Sequence, residues 1–417
     1  MPRHWPLPIK KGRDRMMPNS VHGKSILLGI SGSISSYKAV DLASKLVQHG
    51  ADLDVIMTSS AAQFIAPLTF ESIIHKPVIQ DVFTSGSEEG IYHISATEQA
   101  DLVVIAPATA NMIAKIANGL CDDPVSLAVL SSKAPVIVCP AMDGHMYQNP
   151  ATQENIQKLT DRGIVLVGPT TGHLASGSIG QGRLVEPSDI LGHIRLLLGQ
   201  TGDLAGRKIV VSAGGTQEAI DPVRFLGNRS SGKMGYALAE AAIDRGANTV
   251  LIAAPNNLTN PIGAKILEVV TAKEMHRAIL NEMEDCDILI MPAAVADWRP
   301  KETSKNKIKK NDLENWSITL QKNEDILRSI KEADLVKVGF AAETENTLSQ
   351  ARQKLNEKNL NLIVANNVTE TDIGFGSENN EVILIDREGN VNELGLLSKY
   401  EIGQHILNAV APMLKPT

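Results

Sequence analysis

Twice along this chain a short, uninterrupted apolar run leads into a loop of glycine and small hydroxyl residues and then into a segment with helical periodicity. The first instance runs from Ile26–Ile30 through Gly29–Lys38 (GISGSISSYK) into Ser36–His49, with Gly50 as a plausible helix stop. The second runs from Lys208–Ser212 (KIVVS) through Gly214 and Gly215 to the helix-like Gly232–Arg245. Runs this continuous suit strands buried on both faces rather than strands with one wet face. More of them follow: Leu53–Met57, Leu102–Ala106 and Val136–Val138 in the first half, then Thr249–Ala253, Ile288–Met291, Val336–Phe340 and Leu362–Ala365. Helix-like stretches at Ala108–Asn118, Ala151–Arg162 and Leu348–Lys358 lie among them. The alternation predicts doubly wound, mostly parallel α/β sheets.

The pattern resets near Gly192–Gly206, where Gly199, Gly202, Asp203 and Gly206 read as a linker. A chain of 417 residues accommodates two domains at about 100–200 residues each. The expected division is a disordered extension over 1–24, a first domain over 25–200 and a second over 201–417. Met1–Lys24 is basic and polar with no apolar core, so it does not read as a secretory signal.

Hydrophobic residues make up 43% and charged residues 21%, as in a soluble globular protein. The three cysteines, Cys121, Cys139 and Cys286, argue against a disulfide framework and suit a reducing cytoplasm. A formal net charge of −7 argues against nucleic acid as the main partner. No apolar run approaches the ~18 residues of a membrane span.

Several segments carry chemistry. In Gly29–Lys38, small residues let the backbone approach an anion, and the following helix N-terminus offers free N–H groups. The same loop also reads as a tight strand–helix turn with capping serines. It is not GxGxxG, and no acidic residue closes the second strand, so a dinucleotide oxidoreductase is not favoured. Ala106–Asp123 (APATANMIAKIANGLCDD) starts at a strand end and suits either a planar cofactor or a packed amphipathic helix. His93 precedes the third strand and has a side chain that exchanges protons near neutrality, although a lone histidine is commonly structural. Pro140–Tyr147 (PAMDGHMY) sets a carboxylate, a histidine and two methionines at a strand end. Gly172–Arg183 (GHLASGSIGQGR) is too irregular for a helix and reads as a loop or a substrate-covering flap.

In the second half, Gly227–Met234 (GNRSSGKM) approaches the P-loop pattern, but Met234 stands where the Mg²⁺-binding hydroxyl belongs. What remains is a cluster of amides with Ser230, Ser231 and Lys233 ahead of a helix. Ala293–Pro300 (AAVADWRP) ends a strand, and its Asp297 could hold a ribose, a base or a metal. Arg299–Asn315 has no apolar face; it reads as a solvated loop or as a lid over phosphates. Lys354 and Lys358 share one helix face, which suits an anion between them or a solvated surface.

Together these segments resemble the bifunctional phosphopantothenoylcysteine decarboxylase/phosphopantothenate–cysteine ligase family over essentially the whole chain after Lys24. SGSISSYK, HIS, APATANMIAKIANGL and PAM-x-x-x-MY occur in order, then AGGTQE, DPVR, N-x-SSGKMG, AAVADWRP, KIKK, GFAAET and ARQK. The resemblance implies a flavodoxin-like FMN domain followed by a Rossmann-like ligase domain in a cytoplasmic enzyme of coenzyme A biosynthesis. It implies FMN contacts at Gly32, Ser33, Ile34, Thr58, Ser59, Pro107, Ala108, Thr109, Ala110 and Asn111. His93 matches the family's active-site histidine and Met146 a substrate-contacting position. In the ligase half, CTP with Mg²⁺ would activate 4′-phosphopantothenate as an acyl-cytidylate, which L-cysteine then attacks. Asn228 and Lys307 would serve that chemistry, and Asp297, Asp325, Ile326, Phe340, Lys354 and Lys358 would hold the nucleotide. The family also implies a homo-oligomer, a dodecamer of decarboxylase trimers joined through ligase dimers. No metal-ligand residues are implied.

Two positions depart from the family. Asp143 stands where an asparagine usually binds the substrate carboxylate, and an ionised Asp143 would repel that group. Ser176 stands where a cysteine is proposed to protonate the intermediate, and a hydroxyl is a far weaker acid than a thiol of pKa about 8.5. Cys121 and Cys139 are substitutes only by elimination. These departures leave open a first half that binds flavin as a scaffold, or an active ligase beside an impaired decarboxylase.

Overall fold

A computed structural model describes residues 19–81, 97–309, 316–332, 334–343, 347–367 and 376–415. The first sheet consists of β1 (Ser25–Ile30), β2 (Asp52–Met57), β3 (Leu102–Ala108), β4 (Val136–Pro140) and β5 (Val165–Leu166). Its order is β2-β1-β3-β4-β5, all parallel. That is the flavodoxin-like order, in which the strand sequence reverses between β1 and β3. The helices in chain order are α1 (Ser36–Gln48), α2 (Ser59–Ala62), α3 (Pro67–Ile74), α4 (Ala110–Asn118), α5 (Pro124–Ser131), α6 (Gly144–Gln148), α7 (Pro150–Asp161) and α8 (Pro187–Gly199). They cover both faces, so Leu28, Val103, Val104 and Ile137 are fully buried. Burial of each such side chain contributes roughly 1.5–3 kcal/mol.

Two elements differ from expectation. The helix read from Ala108 begins at Ala110, because Ala106–Ala108 stay in β3 and Ala108 pairs with Pro140. Thr109 then caps the helix by accepting from the Met112 N–H. The segment Gly172–Arg183, expected as a non-helical loop or flap, carries strand structure: β6 (Thr170–His173) and β7 (Ile179–Arg183) pair antiparallel as a hairpin.

The second sheet has eight strands in the order β12-β11-β8-β13-β16-β17-β18-β19. These are β8 (Lys208–Ala213), β11 (Asn248–Ala253), β12 (Lys265–Glu268), β13 (Ile288–Met291), β16 (Val336–Glu343), β17 (Leu362–Asn367), β18 (Asn379–Asp386) and β19 (Val391–Ser398). The first six strands in chain order follow the Rossmann arrangement, with reversal between β8 and β13. β18 and β19 extend it antiparallel. The covering helices are α9 (Lys233–Asp244), α10 (Ala272–Asn281), α11 (Ile326–Ser329), α12 (Thr347–Glu357) and α13 (Lys399–Val410). Two small antiparallel ribbons stand apart: β9 (Gln217–Ala219) with β10 (Phe225–Gly227), and β14 (Trp298–Pro300) with β15 (Leu320–Lys322).

The region read as a linker is largely structured. Helix α8 runs through Gly192 to Gly199, and Leu204 is fully buried. Helix α8 meets α9 of the second domain through charge. Arg195 donates to Asp244 at 2.6 and 2.9 Å and to Glu240 at 3.1 Å, and its guanidinium stacks 5.4 Å from the Tyr400 ring centre. The Asp244 side chain is 1% exposed, and Ser20 also donates to it at 2.8 Å. Residues 19–24 therefore do not belong to a disordered extension: Val21 is fully buried in the first core, and the Asn19 side chain accepts from the Val21 and His22 N–H groups. Residues 1–18 lie outside those described.

Candidate active sites

At the first reversal point, three loops converge through hydrogen bonds among themselves. The Ser31 hydroxyl donates to the Pro107 carbonyl at 2.8 Å and accepts from the Thr109 N–H at 3.0 Å, joining the β1 and β3 edges. The Thr58 N–H donates to the Ile30 carbonyl at 3.1 Å, adding the β2 edge. The Thr58 hydroxyl caps α2 and the Thr109 hydroxyl caps α4. Gly32 sits against Ser60; a Cβ at Gly32 would lie 2.6 Å from that of Ser60. The expected cofactor positions Gly32, Ser33, Ile34, Thr58, Ser59, Pro107, Ala108, Thr109, Ala110 and Asn111 are thus gathered on one sheet edge.

This edge offers backbone N–H groups and hydroxyls from helix starts, which suits a phosphate. It also offers the exposed apolar face of Ile34 (58% exposed), which suits a planar ring. Lys38, by contrast, turns away: it donates to the Leu184 carbonyl and to Glu186, each at 2.9 Å, and is 6% exposed. His93 falls within residues 82–96, outside those described.

The neighbouring strand β4 carries Asp143 at its carboxyl end. The Ala141 N–H donates to the Ala108 carbonyl at 2.9 Å, which ties this edge to the loops above. The β6–β7 hairpin folds back over it. The Met142 N–H donates to the Gly182 carbonyl at 2.9 Å, and a Cβ at Gly182 would come within 2.2 Å of the Met142 carbonyl oxygen. Only glycine permits that approach. The Ser176 hydroxyl donates to Asp143 Oδ2 at 2.7 Å and lies 2.9 Å from the Ser178 hydroxyl. This bond, with that from the His145 N–H, holds the Asp143 carboxyl below its ordinary range. Asp143 is therefore an ionised group latched to the flap, and Met146 stands 49% exposed one turn on. Burial pushes the Cys139 thiol far up and raises Cys121 as well, with Asp123 and Asp122 adding to it, so neither offers an acidic proton.

At the second reversal point, the loops after β8 and β13 are zipped together. The Ala294 N–H donates to the Gly214 carbonyl at 2.9 Å, and the Thr216 hydroxyl accepts from the Ala296 N–H at 2.9 Å. Asn228 donates to the Ala294 carbonyl at 3.0 Å. Between these loops opens a cleft lined by Gly214, Ser230, Ser231, Gly232, Lys233 and Phe340, with Asn366, Asn380 and Lys399 across from them.

Of the other expected nucleotide residues, Asp297 is exposed after β13. Lys358 pairs with Asp325 at 3.0 Å, so the anion beside this lysine is a carboxylate of the chain itself. Lys354 lies one turn earlier on α12. The Ile326 side chain is 4% exposed and packs in the core, which leaves only its backbone for a ligand. Lys307 is exposed on a segment that docks onto Asp221–Arg224. There the Ile308 N–H donates to Asp221 at 3.2 Å, Arg224 donates to the Ile308 carbonyl at 3.2 Å, and Arg224 lies 4.7 Å from the Trp316 ring. The Arg224 guanidinium holds the Asp221 carboxyl well below its usual range.

Sequence reasoning did not find Asn366, Asn380 or Lys399. Asn380 and Lys399 come from β18 and α13, far along the chain from any glycine-rich loop, so no local pattern marks them. Burial and the nearby Lys233 charge push the Lys399 ammonium down to about 8. Among the described residues, no group of three or more His, Cys, Asp or Glu side chains could hold a metal ion.

Two doubly wound domains in tandem, the first with three loops gathered at its reversal point and the second with a cleft at its own, define a two-domain α/β enzyme. Residues 15–199 match the family model described as "Flavoprotein", and residues 204–413 match "DNA/pantothenate metabolism flavoprotein C-terminal domain". The chain is 43% identical over 402 residues to "Coenzyme A biosynthesis bifunctional protein CoaBC" of Bacillus subtilis (strain 168), covering 95% of this chain and 99% of that protein. It is 41% identical over 396 residues to the protein of the same name from Escherichia coli (strain K12), covering 94% and 97% respectively. A solved C-terminal domain of such a protein aligns at 38% identity and a TM-score of 0.44, covering 51% of this chain and 97% of that domain. The chain belongs to this family of bifunctional enzymes of coenzyme A biosynthesis.

Proposed function

We propose that this enzyme catalyses two consecutive steps: CTP-dependent ligation of L-cysteine to 4′-phosphopantothenate, then FMN-dependent decarboxylation of the product to 4′-phosphopantetheine. The observation that carries this reading is the pair of sheets, each with its loops gathered at the reversal point, within a chain that matches the family along nearly its whole length. When bound at the first cleft, FMN supplies a reversible electron sink, which a plain carboxylate lacks when CO₂ departs. The loop at Ser33 ahead of α1, with the helix starts at Ser59 and Ala110, would hold its phosphate, and Pro107 to Asn111 with Ile34 would flank its ring. His93 would exchange a proton with the substrate, and Met146 would contact it beneath the hairpin.

In the second cleft, the Gly214 and Ser230–Gly232 amides are suited to the triphosphate and Phe340 to the base. Asp297, the Asp325–Ile326 turn and the Lys354/Lys358 face would hold the remainder of the nucleotide. Lys307 would be carried to the phosphoryl groups by its docked segment and stabilise charge as the acyl-cytidylate forms. Asn228, fixed on the Ala294 carbonyl, would orient the acyl group. Mg²⁺ would neutralise the triphosphate.

We also take the apolar side chains of Phe225, Leu226, Trp298, Trp316, Ile318 and Leu320, each more than a third exposed, as a surface for a second copy. This supports a homo-oligomer with ligase dimers. No helix among the described residues is long and apolar enough to cross a membrane, which is compatible with a cytoplasmic enzyme.

The test supplies purified protein with 4′-phosphopantothenate, cysteine, CTP and Mg²⁺ and follows products by mass. The expected product is 4′-phosphopantetheine, lighter than the acylcysteine by one CO₂. Failure to form either compound, with CTP or ATP, sinks the reading.

A further inference from the structure

The net decarboxylation replaces a carboxylate by hydrogen, R–COO⁻ + H⁺ → R–H + CO₂. The electrons withdrawn to let CO₂ leave return to the same carbon skeleton, so the cycle is redox neutral and consumes one proton. That proton must be delivered to carbon, and neither Ser176 alone nor the buried Cys139 is an acid fit to give it.

The structure offers a different donor. Asp143 follows the carboxyl end of β4, joined through Ala141 and Ala108 to the loops at the first reversal point, under a hairpin that Gly182 allows to close. Its Oδ2 and the Ser176 oxygen are 2.7 Å apart, a spacing that serves a hydrogen bond in either direction. Among the described residues, the groups facing it are His145 from its own helix and the Ser176 hydroxyl from the hairpin, which in turn lies 2.9 Å from that of Ser178. Arg183 on β7 turns to Glu186 at 2.8 Å instead.

We propose that Asp143 is the proton carrier of the decarboxylation: it takes up a proton when the substrate carboxylate arrives beside it, and returns that proton across the Ser176 hydroxyl to the carbon that CO₂ has left. This rests on the decarboxylase reading of the first domain.

The physical reason is like-charge repulsion. Two carboxylates sharing a site under a closing flap cannot both stay ionised, and one pKa rises strongly. Protonated Asp143 then donates to Ser176, reversing the bond seen in the free enzyme. CO₂ leaves as a neutral molecule, so the negative charge passes from the carboxylate beside Asp143 to the carbon skeleton; the repulsion that held the proton on Asp143 falls, and the carbon becomes the base that receives it. The O–H bond of Ser176 breaks as the new C–H bond forms, and the Asp143 proton replaces it on Ser176. The aspartate that would repel a substrate carboxylate thus becomes the means of protonating the product.

The test uses full-length, FMN-loaded protein and 4′-phosphopantothenoyl-alanine, which keeps the carboxylate and lacks the thiol, so it binds without reacting. Flavin absorbance reports occupancy of the first domain, and calorimetry in two buffers of different ionisation enthalpy counts protons. Wild type is expected to take up about one proton per analogue, with affinity falling about tenfold per pH unit as pH rises. Asp143→Asn, which keeps the helix cap, is expected to bind with no uptake and a flat pH profile, while His145→Gln behaves as wild type. The carboxamide of the analogue is expected to bind wild type without uptake. Binding by wild type without proton uptake, or equal uptake by Asp143→Asn, overturns the proposal while leaving the decarboxylase reading intact. No flavin response to the analogue in wild type overturns the decarboxylase reading itself, and the proposal with it.

Discussion

Ser176 and Asp143, 33 residues apart in the chain, meet at 2.7 Å with the serine hydroxyl donating to the carboxylate. These are the two positions at which the sequence resemblance leads one to expect other residues, and they touch. Taken singly, each looks like damage to a decarboxylase. Taken together they form one hydrogen-bonded unit, which links the sheet edge to the hairpin above it.

Removing the hydroxyl should separate the two halves of that unit. Ser176→Ala is expected to retain FMN and ligase activity but lose about 10²-fold or more in decarboxylation, the usual scale for a proton-transfer group. Ser176→Cys should restore most of it, since a thiol of pKa about 8.5 is itself an acceptable donor. Mass analysis of the products under single turnover checks both. Full activity in Ser176→Ala would show that the hydroxyl has no part in the reaction.

Gly182 should control closure of the hairpin. An added Cβ would meet the Met142 carbonyl oxygen at 2.2 Å, and a backbone atom cannot swing aside. Gly182→Ala is therefore expected to open the β6–β7 hairpin to limited proteolysis and to reduce decarboxylation with little change in flavin content.

The cation between the domains should be indispensable. Asp244 is nearly inaccessible and accepts from Arg195, Ser20 and Tyr400. Among the described residues, Asp244→Ala leaves the largely buried Arg195 with Glu240 as its carboxylate partner beside the Tyr400 ring, and breaking such a pair costs about 3–5 kcal/mol. Chemical denaturation should show that loss, and a shift below about 1 kcal/mol would mean that the site rehydrates freely.

Lys399 should impose a pH dependence on the second domain. Its folded value, about 8, lies below its unfolded one, so charging it costs the folded state. That penalty is complete below pH 8 and vanishes above about 10.4, so this group makes wild type gain stability as pH rises between them. Lys399→Met is expected to lack that gain. A bound triphosphate favours the charged form, so CTP affinity should fall as pH rises through 8 in wild type and stay flatter in the variant. Calorimetric titration of CTP across that range decides it.

Asn228 is held on the Ala294 carbonyl rather than by the nucleotide loop itself. Asn228→Ala is expected to lower ligation about 10²-fold, as loss of a single oriented donor does, while CTP binding changes little. Equal losses in both would move its role from chemistry to nucleotide binding.

Much of this enzyme was legible in the residues themselves. Uninterrupted runs such as Leu102–Ala106 and Lys208–Ser212 mark strands because a residue buried on both faces must be apolar wherever it sits. The glycine and hydroxyl loops after β1, β3 and β8 are legible because an anion site needs consecutive backbone amides at a helix start. Thr109, an N-cap signal, marks the start of α4 more accurately than apolar periodicity does. Those properties are local, and short stretches of chain determine them.

Other features were decided only by the tertiary structure, because they depend on which distant segments become neighbours. Strand order brings β3 beside β4 and so puts Asp143 next to the loops of the first reversal point, and the hairpin then brings Ser176 to it. The antiparallel extension delivers Asn380 and Lys399 to the second cleft. Asp325 neutralises Lys358, and core burial withdraws the Ile326 side chain from any ligand. Residues 19–24 read as a polar tail, yet Val21 fills a hydrophobic site and Ser20 joins the charge cluster between the domains. The amino-acid sequence determines which segments form strands, helices and anion-binding loops, since these follow from the chemistry of adjacent residues. It leaves to the folded chain the question of which charges are paired, since a pair depends on two residues whose proximity no local pattern records.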